Sequence, residues 1–113
     1  MIVDNDLLAL LQEELGEEGY RLYLAATGDE ALQILHDRGP ELDLVITDIK
    51  HDGLNGLELL QHIKTSLPGL PVIIHTAYAA CQGTPEVLRA DAFMVKDSDL
   101  GPLKAKIKEL LAA

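Results

Sequence analysis

Short apolar runs alternate with segments of helical period along the chain, and this alternation restricts the possible folds more than any other feature. The apolar runs predict five strands, at residues 1–3, 20–25, 43–47, 71–75 and 92–95. Between them apolar residues recur every three or four positions, as at Leu7, Leu11 and Leu15, which is the period of a helix with one buried face. Strand and helix therefore alternate in a (βα)5 order, which predicts an α/β fold.

The connections between the predicted strands determine the architecture of the sheet. Two parallel strands joined by a helix cross over with right-handed geometry in nearly all proteins, and successive crossovers cover both faces of the sheet with helices. We therefore expect a doubly wound parallel sheet, with residues 1–113 forming one domain. A chain of this length buries a core without disulfides or structural metals.

The helix boundaries carry their own signals. Thr27 and Glu30 have the spacing of a capping box, and Asp97 or Ser98 is in position to cap the last helix. The helical segment at residues 85–90 is predicted to be short.

Acidic residues outnumber basic ones, which restricts the partners of the chain. The sequence has 19 acidic and 9 basic residues and a net charge of −10. This charge repels phosphates, so we expect no direct contact with nucleic acid. The apolar runs are shorter than the roughly 20 residues of a membrane span, and no leader opens the chain. We therefore expect no membrane insertion and a cytoplasmic location.

Polar residues follow several of the predicted strands at the point where each strand ends. They are Asp4, Asn5 and Asp6 after the first strand, Asp48 after the third, Thr76 after the fourth and Lys96 after the fifth. Ligands of open α/β sheets bind beyond the carboxyl ends of the strands, so we expect these side chains to lie together. Carboxylates suit a hard cation such as Mg²⁺, and a hydroxyl and an ammonium suit a phosphoryl group. The set predicts a phosphoryl-transfer site.

Within this set Asp48 is the candidate nucleophile. It follows the buried run of residues 44–47, and a carboxylate is converted to an aspartyl-phosphate by attack on phosphorus. Taken singly, an Asp after a strand is more often a turn former or a helix cap, so the prediction depends on the whole set. His75, inside the fourth strand, is expected to be a packed and hydrogen-bonded core residue.

Five motifs in order resemble the receiver domain of bacterial response regulators, over essentially the whole chain. They are "IVDND", "DLVITDI", "GLNGLELL", "PVIIHTAY" and "AFMVK". The resemblance implies a flavodoxin-like sheet with strand order 2-1-3-4-5, like that of single-domain chemotaxis regulators. It also implies a role in two-component signalling, with a histidine kinase as phosphoryl donor and a downstream effector protein or output domain as the second partner.

The resemblance assigns a role to individual residues at the phosphoryl site. Asp48 accepts the phosphoryl group, and Thr76 and Lys96 contact its oxygens. The Mg²⁺ site is formed by Asp4, Asn5, Asp48 and Lys50. Such a domain catalyses its own phosphorylation and dephosphorylation but is not a metabolic enzyme.

Two further positions match family residues around that site. Phe93 occupies the position of an aromatic switch residue that turns inward in the active form, although a plain core Phe is an equal alternative. Tyr78, like Lys50, matches a position at the rim of the site that influences how long the phosphoryl group survives.

Departures from the family pattern keep a second interpretation open. Asn5 stands where the family has a metal-binding Asp, and Asp97 replaces the Pro that follows the Lys. These changes are consistent with a degenerate receiver that acts as a phosphorylation-independent interaction module. Since Asp97 lacks the tertiary amide of proline, we predict a trans Lys96–Asp97 peptide.

A third interpretation is a phosphatase of the haloacid dehalogenase type, which the "DND" run, "PVIIHT" and Lys96 superficially resemble. Two features argue against it. Leu8 stands where the first phosphatase motif requires Thr or Val, and the segment after Lys96 has no further strand with an acidic motif.

Overall fold

The chain forms a parallel five-stranded sheet in a computed structural model that describes residues 1–50, 55–77, 85 and 87–112. The strands are β1 (Ile2–Val3), β2 (Leu24–Ala25), β3 (Val45–Thr47), β4 (Val72–Thr76) and β5 (Ala92–Val95). Their order across the sheet is β2-β1-β3-β4-β5, and every neighbouring pair is parallel. The predicted α/β fold and strand order are confirmed.

Three strands are shorter than the sequence predicts. Apolar residues continue before β2 and β3, but the strands themselves begin only at Leu24 and Val45. The reason lies in β1, whose paired part starts at Ile2, so that the earlier residues of its two neighbours have no strand between them. An apolar run therefore indicates which residues are buried, whereas the length of a strand also depends on its neighbouring strand. Strand β5 has the predicted bounds.

Helices cover both faces of the sheet. The described residues form α1 (Leu8–Glu17), α2 (Gly28–Arg38), α3 (Gly56–Ser66) and α4 (Gly101–Ala112), together with 3-10 turns at Gly39–Glu41 and Val87–Arg89. The predicted short helix at residues 85–90 is seen only as the second of these turns, and Glu86 lies outside the described residues. No helix in the described ranges is both long and apolar enough to cross a membrane.

The core consists of two apolar layers, one on each face of the sheet. Along β4, Val72 and Ile74 pack in the layer beneath α2 and α3, whereas Ile73 packs in the layer beneath α1 and α4. This alternation is the period of a strand buried on both faces. The predicted helical faces point into these layers, with Leu11 and Leu15 of α1 fully buried in the second one.

The capping residues at the helix starts agree only in part with those predicted from the sequence. The Thr27 hydroxyl accepts a hydrogen bond from the Glu30 N–H at 3.1 Å, as predicted. At the last helix the prediction of Asp97 or Ser98 as the cap is wrong, because the carboxylate of Asp99 accepts from the N–H of Gly101 at 2.9 Å. Asp97 instead accepts from the N–H of Asp99 at 3.0 Å and shapes the turn before the helix.

Candidate functional site

Two aspartates lie side by side at the carboxyl edge of the sheet. The N–H of Asp4 donates to the carbonyl of Ala25, and the N–H of Asp48 donates to the carbonyl of Val3, so both residues continue the strand ladders. Their exposed fractions are 1% for Asp4 and 4% for Asp48. Since buried carboxylates repel each other and are poorly solvated, this pair requires a compensating positive charge.

Lys96 supplies that charge. Its Nζ donates to Asp48 Oδ2 at 2.6 Å and forms an ion pair with Asp4 Oδ2 at 3.0 Å. Burial alone would lower the pKa of Lys96, but the contacts with the Asp48 and Asp4 carboxylates outweigh it and raise this pKa. Lys96 therefore stays charged, and the predicted meeting of Asp4, Asp48 and Lys96 is observed.

The second oxygen of Asp48 is held by the main chain. Asp48 Oδ1 accepts from the N–H of Ile49 at 2.6 Å, so the two oxygens of this carboxylate have different partners. The following chain is fixed by the N–H of Gly56, which donates to the carbonyl of Ile49 at 2.7 Å. A Cβ at Gly56 would overlap the carbonyl oxygen of Asp48. The start of α3 therefore packs directly on the candidate nucleophile.

Asp4 has one saturated oxygen and one that accepts no hydrogen bond. Asp4 Oδ1 accepts from the N–H groups of Asp6 and Leu7, at 2.8 and 3.0 Å. Its buried Oδ2 contacts Lys96 as an ion pair but receives no directed hydrogen bond from the described residues. A buried carboxylate oxygen of this kind is suited to coordinate a cation.

A third carboxylate, from Asp6, completes an acidic cluster with Asp4 and Asp48. One oxygen from each of the three lies within 4.8 Å of the others, which suits a hard divalent cation. The sequence prediction placed Asn5, not Asp6, among the metal ligands. Asn5 and Asp6 both stand in the "DND" run, and the cluster of carboxylates adds Asp6 to the residues that could hold a cation. Asn5 itself is exposed between the two aspartates.

An open cleft of about 400 Å³ lies over the acidic edge. Asp48, Lys50 and Lys96 line it together with Leu7 and Leu10 of the α1 region. Lys50 is exposed and lines this cleft. Tyr78, the other predicted rim residue, lies outside the described residues.

Thr76 and Phe93 belong by strand alternation to the face of the sheet that α2 and α3 cover. Thr76 is fully buried at the end of β4, and its carbonyl accepts from the N–H of Lys96 at 2.7 Å. Its neighbour Ala77, not Thr76, lines the cleft. Phe93 is half-buried against the apolar layer under α2 and α3, on the face to which strand alternation also assigns Thr76. The two lie on one face, while neither lines the cleft.

The turn after Lys96 has ordinary backbone geometry. The Lys96–Asp97 peptide is trans, as predicted from the absence of proline. Asp97 and Ser98 line the cleft next to Lys96.

The hydrogen bonding of the buried His75 is incomplete among the described residues. It is 2% exposed, and its Nδ1 has no hydrogen bond partner among the described residues. Burial lowers the pKa of His75, Lys96 lowers it further, and the carboxylates of Asp4 and Asp48 oppose the change. The prediction of a packed core residue is confirmed, and the predicted hydrogen bonding is not seen at Nδ1 among the described residues.

Comparison with known proteins agrees with this geometry. The family model of the response regulator receiver domain matches residues 1–108. The transcriptional regulatory protein ZraR of Klebsiella oxytoca is 35% identical over 116 residues, which cover 99% of this chain and 26% of ZraR. The chain thus spans about a quarter of the length of this curated relative.

Solved structures show the same fold. The response regulator TrrA of Thermotoga maritima, crystallised with Mg²⁺ and BeF, is 36% identical and superposes with a TM-score of 0.91 over 96% of this chain and 95% of TrrA. TrrA in complex with the histidine kinase ThkA gives a TM-score of 0.87 at 37% identity, over 97% of this chain and 95% of the matched chain. The chain belongs to the response regulator receiver domain family.

Proposed function

We propose that this protein is a phospho-accepting receiver of a two-component system, in which Asp48 takes a phosphoryl group from a phosphohistidine of a histidine kinase. One observation carries the proposal. Asp48 is buried beside two other carboxylates, yet one of its oxygens is held by Lys96 Nζ at 2.6 Å and the other by the Ile49 N–H at 2.6 Å. A carboxylate oriented in this way at the floor of an open cleft is accessible to an incoming phosphorus atom.

The transfer itself is a simple displacement. A carboxylate oxygen of Asp48 attacks phosphorus, an O–P bond forms and the P–N bond of the phosphohistidine breaks. The departing imidazole keeps the electron pair of that bond and takes up a proton. Lys96 then neutralises part of the charge on the phosphoryl oxygens. Release from Asp4 frees the ammonium for this role.

Mg²⁺ is the cofactor that the acidic cluster fits, and TrrA was crystallised with this ion. Asp4, Asp6 and Asp48 would hold it, with Asn5 and Lys50 at the margin of the site. When bound, the ion offsets charge between Asp48 and the transferring phosphoryl group. The cluster of three carboxylates supports this assignment, as does the buried Asp4 Oδ2, which pairs with Lys96 but accepts no directed hydrogen bond from the described residues.

The proposed switch involves Thr76 and Phe93. In the unphosphorylated form Thr76 is buried and does not line the cleft. Movement of the Thr76 hydroxyl toward a phosphoryl group on Asp48 would open space for the Phe93 ring to turn inward. The change alters the surface near β5 and so the affinity for a downstream effector protein or output domain.

The domain acts in signalling and has no metabolic substrate in this proposal. Its catalysis is limited to its own phosphorylation and dephosphorylation. The net charge of −10 supports protein partners in preference to direct nucleic acid contact, and the proposed location is the cytoplasm. Since ZraR is a transcriptional regulator of about four times this length, an output domain is one candidate partner.

A degenerate receiver is the second candidate. The double contact of Lys96 with Asp4 and Asp48 favours it, because the charge of the acidic site is already partly offset without a bound metal ion. In that case the protein binds its partner equally well with and without phosphoryl donor.

Phosphotransfer from a radiolabelled histidine kinase distinguishes the two candidates. We expect label on the native protein in the presence of Mg²⁺ and none on Asp48→Asn. Asp43→Asn, a change of an exposed carboxylate at the opposite edge of the sheet, is the matched control and should label normally. Equal labelling of the native protein and Asp48→Asn would exclude Asp48 as the acceptor.

A further inference from the structure

His75 of β4 lies on the same face of the sheet as the acidic site. It follows Ile73 by two positions, and Ile73 packs in the layer beneath α1 and α4, so strand alternation directs His75 to that face. Asp4, Asp48 and Lys96 each follow a residue of that layer by two positions as well. Those residues are Ile2, Ile46 and Met94. The buried histidine and the three charged side chains therefore share one face.

The side chain of Lys96 crosses β4 to reach the carboxylates. Lys96 follows β5, whereas Asp48 follows β3, and β4 lies between these two strands. The β3–β4 ladder, continued by one residue, places His75 opposite Asp48. The ammonium that lies 2.6 Å from Asp48 Oδ2 is therefore carried over β4 on the face to which His75 points.

His75 offers a hydrogen bond acceptor at this place. It is 2% exposed, and its buried Nδ1 has no hydrogen bond partner in the described part of the chain. Burial and the ammonium of Lys96 lower the pKa of His75, so the imidazole is neutral near pH 7. A neutral imidazole has one ring nitrogen without a proton, and that nitrogen can accept.

Lys96 needs such an acceptor when a cation binds. Its ammonium has three N–H groups and now contacts Asp48 Oδ2 and Asp4 Oδ2. Since Asp4 belongs to the acidic cluster, a bound Mg²⁺ takes this oxygen from Lys96. The Lys96 side chain is only 12% exposed, so the loss of a partner without replacement would oppose the binding of the ion.

We propose that His75 Nδ1 is a second acceptor for the Lys96 ammonium, which turns to it when Mg²⁺ takes Asp4 Oδ2. Lys96 keeps its contact with Asp48, donates to His75 and so stays beside the phosphoryl acceptor. His75 is thus a positioning residue that acts on the reaction through Lys96. This inference rests on the proposed function, because it takes Asp4 as a ligand of the cation.

A double-mutant cycle measured by Mg²⁺ titration tests this role. His75→Leu removes the ring nitrogen and keeps a side chain of similar size, so we expect its Mg²⁺ affinity to fall about tenfold, the scale of one hydrogen bond to a charged group. His75→Asn, whose side-chain oxygen can stand near the position of Nδ1, should recover most of this loss. In a Lys96→Ala background His75→Leu should change the affinity less than about twofold, since no ammonium remains to be held.

Nitrogen NMR of the ¹⁵N-histidine-labelled native protein gives a second readout, which needs no change at His75. The signal of the unprotonated Nδ1 should move to lower frequency when Mg²⁺ is added, as for a nitrogen that gains a hydrogen bond. The shift should be absent in Lys96→Ala. His62→Leu, which replaces an exposed histidine of α3, is the matched control and should leave both the Mg²⁺ affinity and the shift unchanged.

Two results would overturn the proposal. Equal losses of affinity from His75→Leu with and without Lys96 would show that His75 acts by packing alone. An Nδ1 signal that does not respond to Mg²⁺, in a native protein that binds the ion, would show that Lys96 does not turn to His75. A native protein that binds no Mg²⁺ would overturn the cation site of the proposed function as well, which distinguishes that failure from failure of this inference alone.

Discussion

Lys96 Nζ lies 2.6 Å from Asp48 Oδ2 and 3.0 Å from Asp4 Oδ2, so one ammonium occupies the space between the two buried carboxylates. A divalent cation bound to the same oxygens would have to share them with Lys96 or displace it. This competition links the charge of Lys96, the affinity for the cation and the reactivity of Asp48.

Replacing Lys96 is expected to change Mg²⁺ binding and phosphorylation of Asp48 in opposite directions. In Lys96→Ala the acidic cluster loses the ammonium that now lies between its carboxylates, so the affinity for Mg²⁺ should rise. A net gain of about 1.4 kcal/mol in binding free energy corresponds to about tenfold in affinity. Phosphorylation of Asp48 should fall, because the charge that stabilises the phosphoryl oxygens is gone. Titration with Mg²⁺ and phosphorylation assays on the same protein measure both effects. Lys106→Ala, which breaks only an exposed pair with Glu109, is the control and should change neither.

The position of Asp6 leads to a prediction about which residue supplies charge to the cation. Because the Asp6 carboxylate joins those of Asp4 and Asp48, Asp6→Asn should weaken Mg²⁺ binding by about tenfold. Asn5→Asp should tighten it by less than that factor, since the third charge is already present. Calorimetric Mg²⁺ titrations of the two variants decide the order. A larger effect from Asn5→Asp than from Asp6→Asn would show that Asn5 is the third ligand position.

The approach of α3 to Asp48 makes Gly56 a sensitive position. A Cβ there would overlap the carbonyl of Asp48, and the neighbouring atoms are backbone and not flexible side chain. Gly56→Ala should therefore destabilise the fold by about 1–3 kcal/mol and shift Asp48. Urea unfolding measures the loss of stability. Gly69→Ala is the control, because a Cβ at Gly69 meets nothing within 4 Å, and equal losses for both variants would contradict the packing argument.

Acidification is expected to destabilise the protein through His75. Burial lowers the pKa of His75, and Lys96 adds to the effect. The unfolded chain, with a His pKa of about 6.5, therefore binds more protons than the folded one. The stability that comes from keeping His75 neutral is fully present above pH about 6.5. It is lost as the pH falls through the pKa of His75 in the folded protein.

Urea unfolding of the protein and of His75→Leu at pH 7.5 and 5.5 measures this contribution. The variant should lose less stability on acidification. The Met1 amino group, whose pKa falls from 8.0 to about 6, contributes with the same sign in both proteins and cancels in the comparison. Equal losses in the two proteins would show that His75 does not take up the proton.

Much of the site was predictable from sequence because it depends on strand ends. Parallel strands bring their carboxyl ends to one edge, so Asp4, Asp48 and Lys96 had to meet once the order of elements was recognised. Asp6 was expected at this edge together with Asp4 and Asn5, but its place in the acidic cluster also depends on the loop after β1, where the N–H groups of Asp6 and Leu7 donate to Asp4.

The exact strand bounds and the hydrogen bonding of buried side chains could not be predicted from the sequence. Residues before Leu24 and Val45 are apolar and buried in part, but pairing depends on where the neighbouring β1 begins. His75 has the pattern of a strand residue, yet the missing partner at Nδ1 depends on which groups surround it in the packed core.

Intact-mass measurement after incubation with acetyl phosphate and Mg²⁺ tests the central claim most directly, because this donor needs no cognate kinase. We predict a single phosphoryl adduct on the native protein and none on Asp48→Ala, with Asp43→Ala, an exposed carboxylate elsewhere, modified like the native protein. An unmodified native protein, or an adduct of equal yield on Asp48→Ala, would contradict the account.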